Sequence, residues 1–175
     1  MPQDRTRKLV ITGVMGAITI LLGVTHWGFI PWFGGISLTI MHVPVIIAAI
    51  LEGPIVGLGV GLIFGIFSMI QAAVAPSSPA DVWFTNPVLA VLPRLFIGPV
   101  AYFVWKLLEK IPVVGLIVSG VAGSLTNTIL VLGVIGLMGL LPWPVLGGII
   151  ISNGLLEAGV SAFIVLVVVA AWRRI

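Results

Sequence analysis

Val113 to Leu140 reads VVGLIVSGVAGSLTNTILVLGVIGLMGL, 28 residues without an Asp, Glu, Lys or Arg. A bilayer hydrocarbon core about 30 Å thick takes roughly 20 apolar residues per helical crossing, so a run of this length reads as a membrane span. The pattern recurs on both sides of it. Leu9 to Val24, Leu38 to Leu51, Ile55 to Ala75, Val88 to Leu108 and Val145 to Trp172 are apolar with small residues interspersed. Between them lie Thr25 to Ser37, rich in Trp, Gly and Pro, the tight turn Glu52-Gly53-Pro54, the polar loop Pro76 to Pro87, and Pro142-Trp143-Pro144.

The whole composition agrees. Of 175 residues, 60% are hydrophobic and 7% charged, with mean hydropathy +1.32, against about 25% charged in a soluble domain. The expected fold is an all-α membrane protein, a single compact bundle of six transmembrane helices forming one domain over residues 1–175. The basic start, Arg5, Arg7 and Lys8 before the apolar run from Leu9, imitates a signal peptide. No small-residue cleavage site follows it and further spans do, so it reads as a retained first helix.

Short loops rich in Lys and Arg stay cytoplasmic. With six spans, Arg5, Arg7 and Lys8, then Lys106 and Lys110, then Arg173 and Arg174 all fall on one side. Both termini are therefore expected in the cytoplasm, and the loops bearing Trp27, Trp32, Trp83 and Trp143 outside. Trp at such helix ends forms the interfacial aromatic belt by default.

Several function classes drop out. The net charge of +3 is scattered over helix ends rather than gathered on a solvated face, which argues against nucleic acid. There are no cysteines, hence no disulfides or thiolate metal sites. His26 and His42 lack the spacing of a metal pair. No Gly-Lys-Ser/Thr phosphate loop, serine nucleophile elbow or His-Glu-x-x-His is present, so the chain reads as no enzyme and as unable to hydrolyse ATP. The halves differ in span length and loop character, so the inverted repeats of many secondary transporters are not evident.

An ionisable group inside a membrane costs about 3 kcal/mol on insertion scales unless paired or hydrated. Arg94 and Glu157 are the two that fall inside spans. One reading has Arg94, with Asn127 and Asn153, lining an outward-facing cavity for an organic ligand, the guanidinium suiting a carboxylate. The competing reading pairs Arg94 with Glu157 as an ion pair that locks helices together. Asn127 and Asn153 are candidate ligand contacts or hydrogen-bonded helix glue. His42 reads as a packing, gate or ligand residue, Trp32 and Trp83 as cavity caps, and Asn86 as a further ligand contact. Small residues recur every fourth position at Gly13–Ala17, at Gly57–Gly61–Gly65 and at Gly154–Ala158–Ala162. Such stripes let helices approach closely, and the first, near the chain start, suits a partner membrane protein.

Taken in order, several patterns resemble the substrate-binding S components of energy-coupling factor (ECF) vitamin transporters. They are the basic start with Gly13-Val14-Met15-Gly16-Ala17, Thr39-Ile40-Met41-His42-Val43-Pro44, Glu52-Gly53-Pro54, Pro93-Arg94, Gly123-Ser124-Leu125-Thr126-Asn127-Thr128, and Asn153-Gly154 followed by Glu157. Within the family the chain is most similar to the pantothenate-type members. The resemblance implies a prokaryotic cell-membrane protein that binds a vitamin in a cavity open to the outside, beneath the loop joining the first two helices. It implies partners too: a transmembrane coupling protein and two ATPases, which would use ATP and magnesium, with no cofactor in this chain. An Ala-xxx-Ala motif for the coupling protein is matched here by Gly13 and Ala17. Pantothenate is the expected ligand, with another vitamin such as folate or cobalamin as the alternative. A self-contained oligomeric channel or secondary carrier is the competing class, and a membrane enzyme resting on Arg94 and Glu157 a thinner one.

Overall fold

The computed structural model describes residues 2–25, 27–31, 37–76 and 79–174. It is all-α apart from one small ribbon. Helix α1 (Pro2–Val24) is followed by the strands β1 (Phe29–Pro31) and β2 (Ser37–Thr39), then α2 (Val43–Glu52) and α3 (Pro54–Val74). A 3-10 turn (Pro79–Thr85) leads into α4 (Pro87–Ala90) and α5 (Leu92–Leu108). Next come α6 (Pro112–Leu137), α7 (Trp143–Ile149), a π turn (Ile150–Gly154) and α8 (Leu155–Arg173). Five segments are long and apolar enough to cross a membrane, and Val43–Glu52 is a shorter apolar helix.

Proline sets most of the helix starts. Pro44, Pro54, Pro87, Pro93, Pro112 and Pro144 each lie at the first or second helical position, where the missing N–H has no intrahelical partner to lose. This explains two departures from expectation. The second helix begins at Val43 rather than Leu38, because residues 37–39 pair antiparallel with 29–31, Thr39 opposite Phe29. The fourth span is broken at Val91, where Pro93 opens α5 afresh after the short α4. The sixth span is one continuous run from Trp143 to Arg173, interrupted by the π turn.

Helix α2 lies at the centre, packed against α1, α3, α5, α6 and α8, and eight of its residues, Val43 through Ile50, are buried. The stripe Gly57–Gly61–Gly65 on α3 receives α5 and Val91 at backbone distance. A Cβ on Gly57 would lie 2.9 Å from Gly98 Cα, one on Gly65 2.7 Å from Val91 Cα, and one on Gly61 would collide with the Arg94 carbonyl. Between α6 and α8, a Cβ on Gly120 would lie 2.7 Å from Ala162 Cα, and Ala158 and Ala162 are buried. Two of the small-residue stripes are thus internal packing surfaces. The third differs: nothing lies within 4 Å of a Cβ on Gly13, and Ala17 is exposed.

The termini meet at one end of the bundle. Arg7 forms a 2.6 Å ion pair with Glu52 at the end of α2. From the other terminus, the Arg173 guanidinium donates to the Ile50 carbonyl at 2.8 Å and lies 4.9 Å from the Trp105 ring centre. Lys106 pairs with Glu109 beside them. The ribbon and the 3-10 turn lie toward the opposite end.

Candidate ligand-binding site

Two antiparallel helices change character at the same depth. Going along α6, buried Leu116 belongs to the core near the termini; then come buried Ser119, Ser124, Asn127 and Thr128; then Val131, Leu132 and Ile135 join a second apolar cluster. The last span runs the same sequence in reverse. Leu146 belongs to the second cluster, Asn153, Glu157 and Ser161 follow at intervals of four on one buried face, and Val165 and Val169 return to the first cluster. The bundle therefore holds a polar layer between two apolar ones. Gly154 is what lets the helices meet there, since a Cβ would come within 3.2 Å of Thr128 Cγ2.

Arg94 enters this region from α5 and is only 5% exposed. Its Nη1 donates to the carbonyl of Leu89 in α4, while Leu89 packs into the second cluster with Val131, Leu132 and Ile135. The guanidinium carbon lies 5.3 Å from the Phe64 ring centre and 5.0 Å from that of Phe84. Two aromatic faces thus stabilise the cation without taking up its N–H donors. Among the described residues Nε has no hydrogen-bond partner, and the same holds for the buried Ser124 Oγ and Asn127 Oδ1. Buried polar atoms are nearly always satisfied, so three such atoms on α5 and α6 are departures that ask for an explanation.

The ion pair of the competing reading, Arg94 with Glu157, does not form: each group has its own neighbours. Glu157, 6% exposed, accepts from the Thr39 backbone N–H at 2.7 Å and faces the Thr128 hydroxyl at 3.2 Å. His42, fully buried, has Nε2 2.8 Å from Ser161 Oγ and Nδ1 without a partner. Asn153 is buried at the same α6–α8 contact as Thr128. Asn86 uses its side-chain oxygen as a helix cap, accepting from Val88 N at 2.9 Å, and stands apart from the layer. Trp83 packs with Phe84 against the second apolar cluster. Trp32 and His26 lie outside the described residues. Nothing in the local sequence marks Phe64, Phe84, Thr39, Thr128 or Ser161 as partners of these groups. Each is a common residue type in an apolar chain, and its meeting with a charge depends on helix register across distant segments.

A multi-pass helical protein with partly unpartnered polar groups buried between apolar clusters belongs to the class that holds a small polar molecule within the membrane. The chain belongs to the substrate-specific components of ECF transporters, whose family model matches residues 7–169. It is therefore the binding component of a transporter rather than an enzyme, seated in the prokaryotic cell membrane. It is 28% identical over 99% of its length to the "Pantothenic acid transporter PanT" of Lactococcus lactis subsp. cremoris, covering 97% of that protein. It is 36% identical over 56% of its length to the "Pantothenate transporter PanT" of Leuconostoc mesenteroides, covering 50% of that protein.

Proposed function

We propose that the protein captures pantothenate from outside the cell and delivers it with an ATP-driven ECF module. The observation that carries this reading is the buried guanidinium of Arg94, which among the described residues has no carboxylate partner and keeps Nε unoccupied. Nε and the adjacent Nη offer a planar pair of donors matched to a ligand carboxylate. Ser124 and Asn127, each with an unpartnered oxygen, supply partners for hydroxyl and amide groups, and the relatives' names point to the same acid-amide ligand. Asn153, buried on the last span, and His42, bonded to Ser161 in the same layer, are further candidate contacts.

Orientation follows from charge. Arg5, Arg7, Lys8, Lys106, Lys110, Arg173 and Arg174 belong to the end where the termini meet, which puts that end in the cytoplasm and the ribbon outside. The coupling protein would dock on the bare face of α1 around Gly13 and Ala17, and two partner ATPases would use ATP and magnesium to drive release. Gly13→Leu is expected to abolish energised uptake while leaving binding by the isolated protein intact.

The test is to purify the chain in detergent, identify any co-purifying small molecule by mass spectrometry, and titrate pantothenate by calorimetry. Saturable binding of pantothenate, with folate and cobalamin silent, is the expected result. Uptake by the protein alone in liposomes without ATPases would instead favour a self-contained carrier.

A further inference from the structure

We infer that Glu157 is a positioning residue, the latch that fastens the end of the β1–β2 ribbon to the ligand layer, rather than a ligand contact. The inference rests on the binding reading above for its functional meaning, but its geometry stands alone. Thr39 is the last residue of β2. Its N–H does not enter the ribbon ladder; it reaches Glu157 Oε1 on α8 at 2.7 Å, 118 positions away in the chain. The other oxygen, Oε2, lies 3.2 Å from the hydroxyl of Thr128 on α6, which is also 3.3 Å from the Ser124 carbonyl. One carboxylate thus joins three elements: the loop between the first two helices, α6 and α8. Both of its oxygens are engaged, and a carboxylate facing an acidic ligand would repel it.

The ribbon has a second attachment, to α1. Gly28 donates its N–H to Leu22 O at 2.8 Å and its carbonyl accepts from Ile40 N at 3.0 Å. That side is tied by neutral backbone bonds within the same stretch of chain. The Glu157 side crosses to the far half of the bundle through a charge-assisted bond, the stronger kind. Releasing it frees β2 from α6 and α8 while leaving the ribbon hinged on α1. The carboxylate therefore sets how firmly the end of β2 is held against α6 and α8.

Hydrogen exchange of the full-length protein in detergent, without ligand, reads the latch directly. In Glu157→Ala, amides of residues 37–41 are expected to exchange about tenfold faster than in the parent, with those of α6 and α8 unchanged. Glu157→Gln, which keeps shape and an acceptor, is expected to fall between, and Thr128→Val to give about a threefold increase. Stopped-flow tryptophan fluorescence with pantothenate should show faster dissociation in Glu157→Ala at a nearly constant association rate. Unchanged exchange at 37–41 overturns the latch, and so does faster exchange spread over α6 and α8, which would make Glu157 a plain helix fastener. If the parent protein does not bind pantothenate yet the exchange difference persists, the latch stands and the ligand assignment falls.

Discussion

Arg94 and Glu157 are buried to nearly the same degree, 5% and 6% exposed, yet their surroundings are built in opposite ways. Around the guanidinium the protein supplies one carbonyl and two aromatic faces, and leaves Nε without a partner. Around the carboxylate it supplies a backbone N–H and a hydroxyl, one to each oxygen. Leaving a buried charge incompletely paired costs stability. Its persistence in a bundle that also holds a fully engaged one suits the proposed division of roles, the incomplete site for a guest and the complete one for architecture. The aromatic pair makes the first arrangement tolerable, because ring faces stabilise the cation without occupying its donors.

Substitutions can break this contrast, and their effects should fall in a definite order. Arg94→Ala removes the anchor and should weaken pantothenate binding by about 3 kcal/mol, more than a hundredfold, in calorimetry. Exchange of residues 37–41 should stay as in the parent, because the latch lies elsewhere. Equal affinity in this variant would take the anchoring role away from Arg94. Gly61→Val acts one step back. Its side chain would drive into the Arg94 carbonyl and force α3 and α5 apart, lowering stability by about 1–3 kcal/mol in thermal denaturation and weakening binding with it.

Ser161→Ala sharpens the carboxylate side of the comparison. It leaves His42, whose Nδ1 already lacks a partner, without its bond at Nε2. A loss of about 1–2 kcal/mol in stability is expected, seen as a lower melting temperature, with ligand affinity kept within a factor of about three. A collapse of affinity would instead move His42 into the ligand's contacts. Smallest of all, Asn86→Ala removes a helix cap on the short α4 and should cost about 1 kcal/mol or less without altering affinity.

Much of this was legible before any coordinates. Long charge-free runs have one physical outcome in a chain of this composition, so the long spans followed from counting, and the two intramembrane charges followed from where they interrupt those runs. The stripe Gly57–Gly61–Gly65 was readable as a packing surface because four-residue spacing alone places small residues on one helix face. What could not be read depends on pairing through space. That residues 37–39 form a strand rather than the first turn of a helix is decided by their opposite strand and by Glu157, neither of them local. The same applies to the two Phe rings over Arg94, which in sequence look like any other apolar filler. Asn86 shows a local role that its neighbours do announce: it precedes a proline-led helix, where an amide oxygen is well placed to cap the helix.

The shortness of α2 has a consequence for how the molecule is put together. Ten residues of helix measure about 15 Å, half of a hydrocarbon core of about 30 Å, so this segment cannot rest in lipid as an independently inserted unit. It presents no face to the lipid, being enclosed by the helices around it. It must enter the bilayer as the shorter arm of a hairpin with α3, turning at Glu52-Gly53-Pro54, and find its enclosure only after α8, made later, has closed over it. The heart of the bundle thus leaves the ribosome well before the helix that secures it.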